Sequence, residues 1–200
     1  MKKKENMKKI VFCLCTLTFL AFLFSCMTGR AEKKPCSRAI YDCGIKSPEQ
    51  LTAFFLAHKT AASKSDILRL SRLYVQEGAD EHINSDIAFV QMCLETGFLS
   101  FGNLVTADMH NYCGLGAMDA EHPGESFATE QLGVRAHIQH LHAYATTADV
   151  SLKHELVDPR YSWPHKALFA ASVYDLAGTW ATDKDYGEKL NRLLTELDDF

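Results

Sequence analysis

Apolar residues recur at every third or fourth position between residues 83 and 98 of this chain. This spacing places them on one face of an α-helix, which has to be buried against the rest of the protein. Ser85 can cap the amino end of such a helix and Gly97 can end it. The pattern therefore predicts a helix from about Ser85 to Gly97 with one apolar face, formed by Ile83, Ile87, Val90, Leu94 and Phe98.

Glu95 lies beside this apolar face. A helix turns by about 100° per residue, so Glu95 falls roughly a quarter-turn from the middle of the face, at the border between core and solvent. Partial burial raises the pKa of a carboxyl group, as a carboxylic acid requires if it is to deliver a proton near neutral pH. Spacing alone leaves open the alternative that Glu95 is a solvated residue at the edge of the face.

Three segments of the chain resemble one sequence family in the same order. Residues 91–97 read Gln-Met-Cys-Leu-Glu-Thr-Gly, residues 111–116 read Asn-Tyr-Cys-Gly-Leu-Gly, and residues 180–190 read Trp-Ala-Thr-Asp-Lys-Asp-Tyr-Gly-Glu-Lys-Leu. They resemble the glucosaminidase-domain family of bacterial cell-wall hydrolases, which are mannosyl-glycoprotein endo-β-N-acetylglucosaminidase-like. In that family Ala-Gln-x-x-Leu-Glu-(Ser/Thr)-Gly carries the catalytic Glu, Asn-x-Phe-Gly-Ile follows, and Tyr-Ala-Thr-Asp-Pro-x-Tyr-x-x-Lys-Ile comes later. The resemblance is strongest over residues 83–197.

The resemblance implies a mainly α, lysozyme-like helical domain over residues 47–200, with a small irregular or β-hairpin lobe flanking a glycan cleft. It implies that Glu95 is the catalytic acid. A second acid is expected in the shortened hairpin region, where Glu121 fits best and Glu125 and Asp119 are rivals. The acetamido group of the substrate is the alternative to a second acid.

The same resemblance implies a set of substrate-binding residues. Tyr112, Trp180 and Tyr186 are candidates for stacking on sugar rings, and a role in the core is the alternative for each. Asn111 and Gly114 are expected to shape the loop beneath the acid. The full expected set is Gln91, Asn111, Tyr112, Gly114, Trp180 and Tyr186.

The activity implied is that of an endo-β-N-acetylglucosaminidase cutting β-1,4 bonds in the glycan strands of peptidoglycan. Glycoside hydrolysis needs an acid for the leaving oxygen and a group that stabilises or attacks the sugar carbon. One alternative is a muramidase or lytic transglycosylase of the same fold. The other is a lipoprotein that binds glycan without catalysis. No cofactor is expected.

The amino terminus has the pattern of an export signal. Five lysines precede an apolar run from Ile10 to Phe24, which is shorter than the roughly 20 residues of a spanning helix. Leu23-Phe24-Ser25-Cys26 resembles a bacterial lipobox. We therefore expect a signal peptide at 1–25, lipidation of Cys26, a linker over 26–46, and a membrane-anchored lipoprotein in the periplasm or at the cell surface. An ordinary secretory signal, with Cys26 incidental, is the alternative.

Charge argues against a nucleic-acid partner. Removal of residues 1–25 takes away five lysines and one glutamate, so the formal charge moves from −4 to about −8. A nucleic-acid-binding surface would be basic. An anionic cell wall would likewise not be attracted by the net charge, so recognition of a glycan has to come from a shaped groove.

Cysteine and histidine spacing gives no zinc motif. Cys36–Cys43 and Cys93–Cys113 are candidate disulfides for an exported protein, although Cys93 can also be a small buried apolar residue. His137 and His140 share a helix face and His142 does not, which favours a solvated or hydrogen-bonded face over a metal site.

The remaining pattern is helical and without internal repeats. A capping box at Ser47 begins one helix. A long loop is expected over 98–118, a turn at Pro123-Gly124 and a bend over 157–161. Further helices are predicted at about 64–78, from Thr129 onward, at 164–178 and at 184–197.

Overall fold

A computed structural model describes residues 34–200 except Thr60, Ala148 and Leu168. The predicted signal peptide and Cys26 therefore lie outside the described residues. The described part contains six α-helices and no β-strand, only three isolated bridges, so the prediction of a mainly α domain is confirmed. The helices are α1 (Pro48–His58), α2 (Lys64–Glu81), α3 (Ser85–Thr96), α4 (Glu130–Ala145), α5 (Ser162–Ala167) and α6 (Tyr186–Leu197).

Helix α3 is the centre of the domain. It contacts α1, α2, α4 and α6, and its residues 85–93 are buried on every side. The predicted apolar face is therefore only part of its buried surface. The N-cap is Asn84 rather than Ser85: the Asn84 side-chain oxygen accepts hydrogen bonds from the backbone N–H groups of Asp86, at 3.0 Å, and Ile87. Gly97 ends the helix in the left-handed region at φ 57°, as predicted.

The segment before α1 belongs to the domain. Cys36 and Ile40 are buried in the core, and the compact unit begins at Pro35. The carboxylate of Asp86 accepts hydrogen bonds from the backbone N–H groups of Ile45 (2.9 Å) and Lys46 (3.1 Å). The predicted linker over 26–46 is therefore wrong for residues 35–46, because α3 holds this segment in place.

The predicted helix over 164–178 is also wrong. Helix α5 ends at Ala167, and a 3₁₀ turn follows at Val173–Leu176. Residues 169–172 are not helical: the backbone N–H of Ile40 donates to the carbonyl of Ala171, and that of Val173 donates to the carbonyl of Arg38, both at 3.0 Å. Hydrogen bonds to residues 38–40 thus take the place of the predicted helical hydrogen bonds.

The other helices lie close to their predicted positions. The capping box at Ser47 is present, and Thr129 caps α4. Helix α2 continues to Glu81, three residues beyond the prediction, and α6 begins at Tyr186, two residues after it.

The lobe between α3 and α4 is irregular. It contains a short 3₁₀ turn at Ala107–Met109, and an isolated bridge joins Asp119 to His122 where a hairpin was one expectation. The lobe is tied to itself by backbone hydrogen bonds from Glu125 to Leu115 (2.8 Å) and from Phe127 to Met109 (2.9 Å).

All four cysteines of the described chain are free thiols, so neither candidate disulfide is formed. Cys93 is instead a buried apolar residue of α3, which was the alternative. Within residues 34–200 as described, no helix is long and apolar enough to cross a membrane. The same residues contain no group of three or more His, Cys, Asp or Glu side chains placed to hold a metal ion.

Candidate active site

Glu95 lies in the last turn of α3 and lines a cleft of about 820 Å³. The walls of this cleft are the end of α3, the loop over residues 100–105, the loop over residues 111–117, and Trp180 with Ala181. Glu95 is the only acidic side chain among the described residues that line the cleft. Glu95 is therefore the candidate proton donor to a ligand in this cleft.

One oxygen of the Glu95 carboxyl group is held by two donors. Oε1 accepts a hydrogen bond from the indole Nε1–H of Trp180 at 3.1 Å and another from the hydroxyl of Tyr186. No described residue hydrogen-bonds Oε2. A proton on Oε2 would therefore be available to a ligand, while Oε1 fixes the direction of the group.

Burial is the main influence on the pKa of Glu95. Removal from water raises the pKa of this half-buried carboxyl group, while the hydrogen bonds from Tyr186 and Trp180 oppose that shift, and burial is the larger effect. The predicted border position and raised pKa both agree with the geometry. The carboxyl group has the properties of a general acid.

A chain of buried hydrogen bonds supports Tyr186 from behind. Gln91 donates from Nε2 to the Tyr186 hydroxyl at 2.9 Å, His137 Nε2 lies 3.1 Å from Gln91 Oε1, and Tyr74 bonds to His137 Nδ1 at 3.0 Å. Burial lowers the pKa of His137 to about 3, so its ring is neutral at neutral pH. With Gln91 Oε1 as an acceptor, the proton of that ring is on Nε2 and Tyr74 donates to Nδ1. Every donor in the chain then points toward Glu95.

Three of the expected substrate-binding residues are placed beneath the cleft instead of on its surface. Gln91 is 0%, Tyr112 4% and Tyr186 5% exposed. Gln91 bonds to Tyr186, which holds the acid, and the Tyr112 ring packs in the core against Tyr74, which was the alternative for the two tyrosines; direct contact of the three with a glycan stays a prediction. Sequence reasoning missed Tyr74 and His137, whose roles depend on contacts between separate helices.

Asn111 and Gly114 shape the loop across the cleft from α3, as expected. Asn111 donates from Nδ2 to the carbonyl groups of Leu115 (2.9 Å) and Glu125 (3.0 Å) and accepts from the Leu115 N–H (2.9 Å). Gly114 adopts φ 68°, in the left-handed region where a side chain is unfavourable. Both residues line the cleft.

Trp180 packs against the core and also lines the cleft. Its ring packs against His140 and Tyr144, with centroids 5.1 Å and 5.3 Å away, and its edge lines the cleft beside Glu95. The indole is thereby held where it can both orient the acid and contact a sugar.

The candidates for a second acid do not line the cleft. Glu121 is exposed in the turn that joins Asp119 to His122. Asp119 is exposed and paired with His122, whose hydrogen bond lowers its pKa. Glu125 is half-buried next to Gly116. The structure brings none of the three together with Glu95 in the described cleft.

The three histidines of α4 are buried, so a solvated face is wrong and a hydrogen-bonded one is confirmed. His137 belongs to the chain behind Tyr186. His140 Nδ1 pairs with Asp158 at 2.7 Å, and His142 Nδ1 bonds to the Tyr161 hydroxyl at 2.8 Å.

Comparison with known proteins identifies the family of the chain. The family model for mannosyl-glycoprotein endo-beta-N-acetylglucosaminidase matches residues 71–199. An uncharacterized protein of Borreliella burgdorferi is 39% identical over 149 residues, which cover 74% of this chain and 72% of that protein. No solved structure matches the chain. The chain therefore belongs to the glucosaminidase family, whose domain supports glycan-hydrolysing activity.

Proposed function

We propose that this protein is an endo-β-N-acetylglucosaminidase that hydrolyses β-1,4 bonds in the glycan strands of peptidoglycan. The observation that carries the proposal is the state of Glu95. It is the only acidic side chain lining the described cleft, burial raises its pKa, and one of its oxygens has no partner in the described chain.

In the first step Glu95 gives its proton to the oxygen that leaves the scissile bond. Negative charge then develops on its carboxyl group. Trp180 and Tyr186 already donate to Oε1, so they stabilise that charge without rearrangement. The buried chain through Gln91 and His137 keeps the Tyr186 hydroxyl in this orientation.

The sugar carbon needs a second group, and we assign that role to the acetamido group of the substrate. As the glycosidic bond breaks, the acetamido carbonyl oxygen bonds to the anomeric carbon. Water then adds to that carbon as its bond to the acetamido oxygen breaks, which regenerates the acetamido group, and the water gives a proton to the Glu95 carboxylate, which restores the acid. The absence of Glu121, Asp119 and Glu125 from the described cleft lining supports this assignment.

A binding module without catalysis has no need for this arrangement. Burial of a carboxyl group costs free energy, and two donors fixed on one of its oxygens serve a proton transfer better than adhesion. We further propose export and lipid attachment at Cys26, which would place the enzyme beside its polymeric substrate.

The test is digestion of purified peptidoglycan followed by mass spectrometry of the products. The proposed activity releases fragments with N-acetylglucosamine at the reducing end. Reducing-end N-acetylmuramic acid would identify a muramidase, and an anhydro-muramic end would identify a lytic transglycosylase. Glu95→Gln, tested in parallel, separates this enzyme from a contaminating activity.

A further inference from the structure

A second hollow, of about 230 Å³, adjoins the cleft. The two share Cys113, Gly114, Ala117 and Trp180 in their linings. A glycan strand that occupies the cleft can therefore extend past Trp180 into this hollow. Apart from Trp180, the lining of the hollow has no part in the acid chemistry described above.

The hollow contains an unpaired cation. Arg160 is half-buried in its lining, and its guanidinium makes no hydrogen bond or ion pair with any residue that the structure describes. Arg160 is the only Lys or Arg in the described lining. A guanidinium offers a planar pair of donors that fits a carboxylate.

The backbone at Arg160 is held by a buried carboxylate. Asp158 is 1% exposed; its Oδ1 accepts the backbone N–H of Arg160 at 2.8 Å, and its Oδ2 pairs with His140 Nδ1 at 2.7 Å. His140 also lines the hollow and packs against Trp180. The backbone that carries Arg160 is thus connected, through Asp158 and His140, to the tryptophan beside Glu95.

An aromatic surface completes the hollow. Trp163 lines it and is 56% exposed, which is unusual for so large an apolar side chain. An exposed indole face can stack on the apolar face of a sugar ring. Sugar stacking and carboxylate binding are therefore available side by side.

From these observations we infer that the hollow is a second glycan subsite, which takes a sugar unit carrying a carboxylate. The inference rests on the proposed function, since it assumes that a glycan occupies the cleft. In peptidoglycan strands the carboxylate comes from the acid substituent of the N-acetylmuramic acid unit or from a peptide attached to it. The acidic chain has no general attraction for such a polymer, so a local cation is the feature that would select it.

The test measures binding in Glu95→Gln, which prevents hydrolysis during the measurement. The probes are peptide-free glycan strands, the same strands with their carboxyl groups converted to amides, and strands that keep their peptides. We expect strands with free carboxylates to bind about tenfold more tightly than amidated strands, as for one charge-assisted contact. Added salt should reduce this preference, because Arg160 is partly exposed.

Two arginine variants in the same background locate the effect. Arg160→Gln should abolish the preference, and Arg160→Lys should retain part of it. Arg192→Gln removes an exposed arginine outside the cleft and the hollow, and this variant should retain the full preference. A preference found only with peptide-bearing strands, and abolished by Arg160→Gln, supports the subsite and assigns the carboxylate to the peptide.

Equal binding of all three probes, undetectable binding of all three, or a preference that persists in Arg160→Gln would overturn the inference. Hydrolysis of the same strands by the wild-type protein is measured separately. Hydrolysis without any carboxylate preference refutes the subsite alone. An Arg160-dependent preference without hydrolysis refutes the proposed function alone.

Discussion

Trp180 and Tyr186 donate hydrogen bonds to the same oxygen of Glu95. The two donors come from different elements, one from the loop before α6 and the other from the first turn of α6. Both favour the ionised carboxyl group, while burial favours the neutral one. Burial therefore favours the proton on the acid, and the two donors stabilise the carboxylate that forms when the proton is given up.

Tyr186→Phe removes one of these donors with little change in shape. The pKa of Glu95 should then rise further, because a hydrogen bond that lowers it is lost. Glu95 stays protonated to higher pH, so the alkaline limb of the kcat/KM profile moves to higher pH. The maximal rate should fall roughly 10- to 100-fold, because the developing carboxylate has lost a donor. Tyr174→Phe, at an exposed tyrosine outside the cleft, is the matched control; an unshifted profile in Tyr186→Phe would count against the role of this donor.

The buried His137 should make the free energy of unfolding fall at acidic pH. Burial lowers its pKa from 6.5 to about 3 in the folded protein, so the unfolded chain binds the proton more readily. The stabilising effect of a neutral His137 is therefore complete above pH 6.5 and is lost as the pH falls toward 3. The loss is on the order of a few kcal/mol. Urea unfolding at pH 7 and pH 4.5 measures it.

The comparison protein for this measurement is His137→Gln, which keeps a polar side chain and cannot titrate. Its free energy of unfolding should fall less between the two pH values than that of the wild-type protein. Carboxylates such as Asp80 and Asp183 contribute equally in both proteins, so the difference isolates His137. The same pH dependence in both proteins would contradict the prediction.

Local periodicity was sufficient to place Glu95, because the position of a residue relative to an apolar stripe depends only on its own helix. The resemblance in addition brought Trp180 and Tyr186 into the site. The local pattern could not show that the side chains of Gln91 and Tyr186 are buried. They are buried because α4 and α6 pack against α3.

The two failures of the predicted fold have the same origin. The residues after α5 leave the helix because they pair with Arg38 and Ile40, more than a hundred residues earlier in the chain. Residues 35–46, which lack any periodicity, are held to the domain by distant contacts: Asp86 accepts the N–H groups of Ile45 and Lys46, and Ile40 bonds to Ala171. In both cases the structure of a segment depends on residues far away in the sequence, so the sequence of the segment itself does not predict it.

Glu121→Gln should change the hydrolysis rate by less than about tenfold, because this side chain is exposed and lies outside the described cleft lining. Asp119→Asn and Glu125→Gln should behave similarly if the acetamido group of the substrate supplies the second group. Initial rates on purified peptidoglycan measure the effect. A loss above about a hundredfold in one variant would assign the second role to that carboxylate and require the lobe to close over the bound glycan.

Cys26→Ser tests the proposed lipid anchor. Attachment of two acyl chains gives stable membrane association, whereas a chain without them has only its polar domain surface. The exported variant should therefore move from the membrane fraction to the soluble fraction, as measured by fractionation and immunoblotting. Cys43→Ser, which removes an exposed cysteine of the folded domain, is the control and should leave the distribution unchanged. A wild-type protein that is soluble after export would disprove the anchor.

Glu95→Gln tests catalysis separately from binding, because it replaces one carboxyl oxygen by an amide nitrogen. The amide keeps the shape of the side chain and its Oε1 can still accept from Trp180 and Tyr186, so the fold and the cleft should be retained. It has no proton acidic enough to protonate a leaving sugar oxygen, and the rate should fall about 10²- to 10⁴-fold. Binding to insoluble peptidoglycan should persist in a sedimentation assay, because the cleft walls are unchanged. Circular dichroism and thermal unfolding verify that the variant is folded. Digestion of cell walls by folded Glu95→Gln at the wild-type rate would show that Glu95 is not the acid.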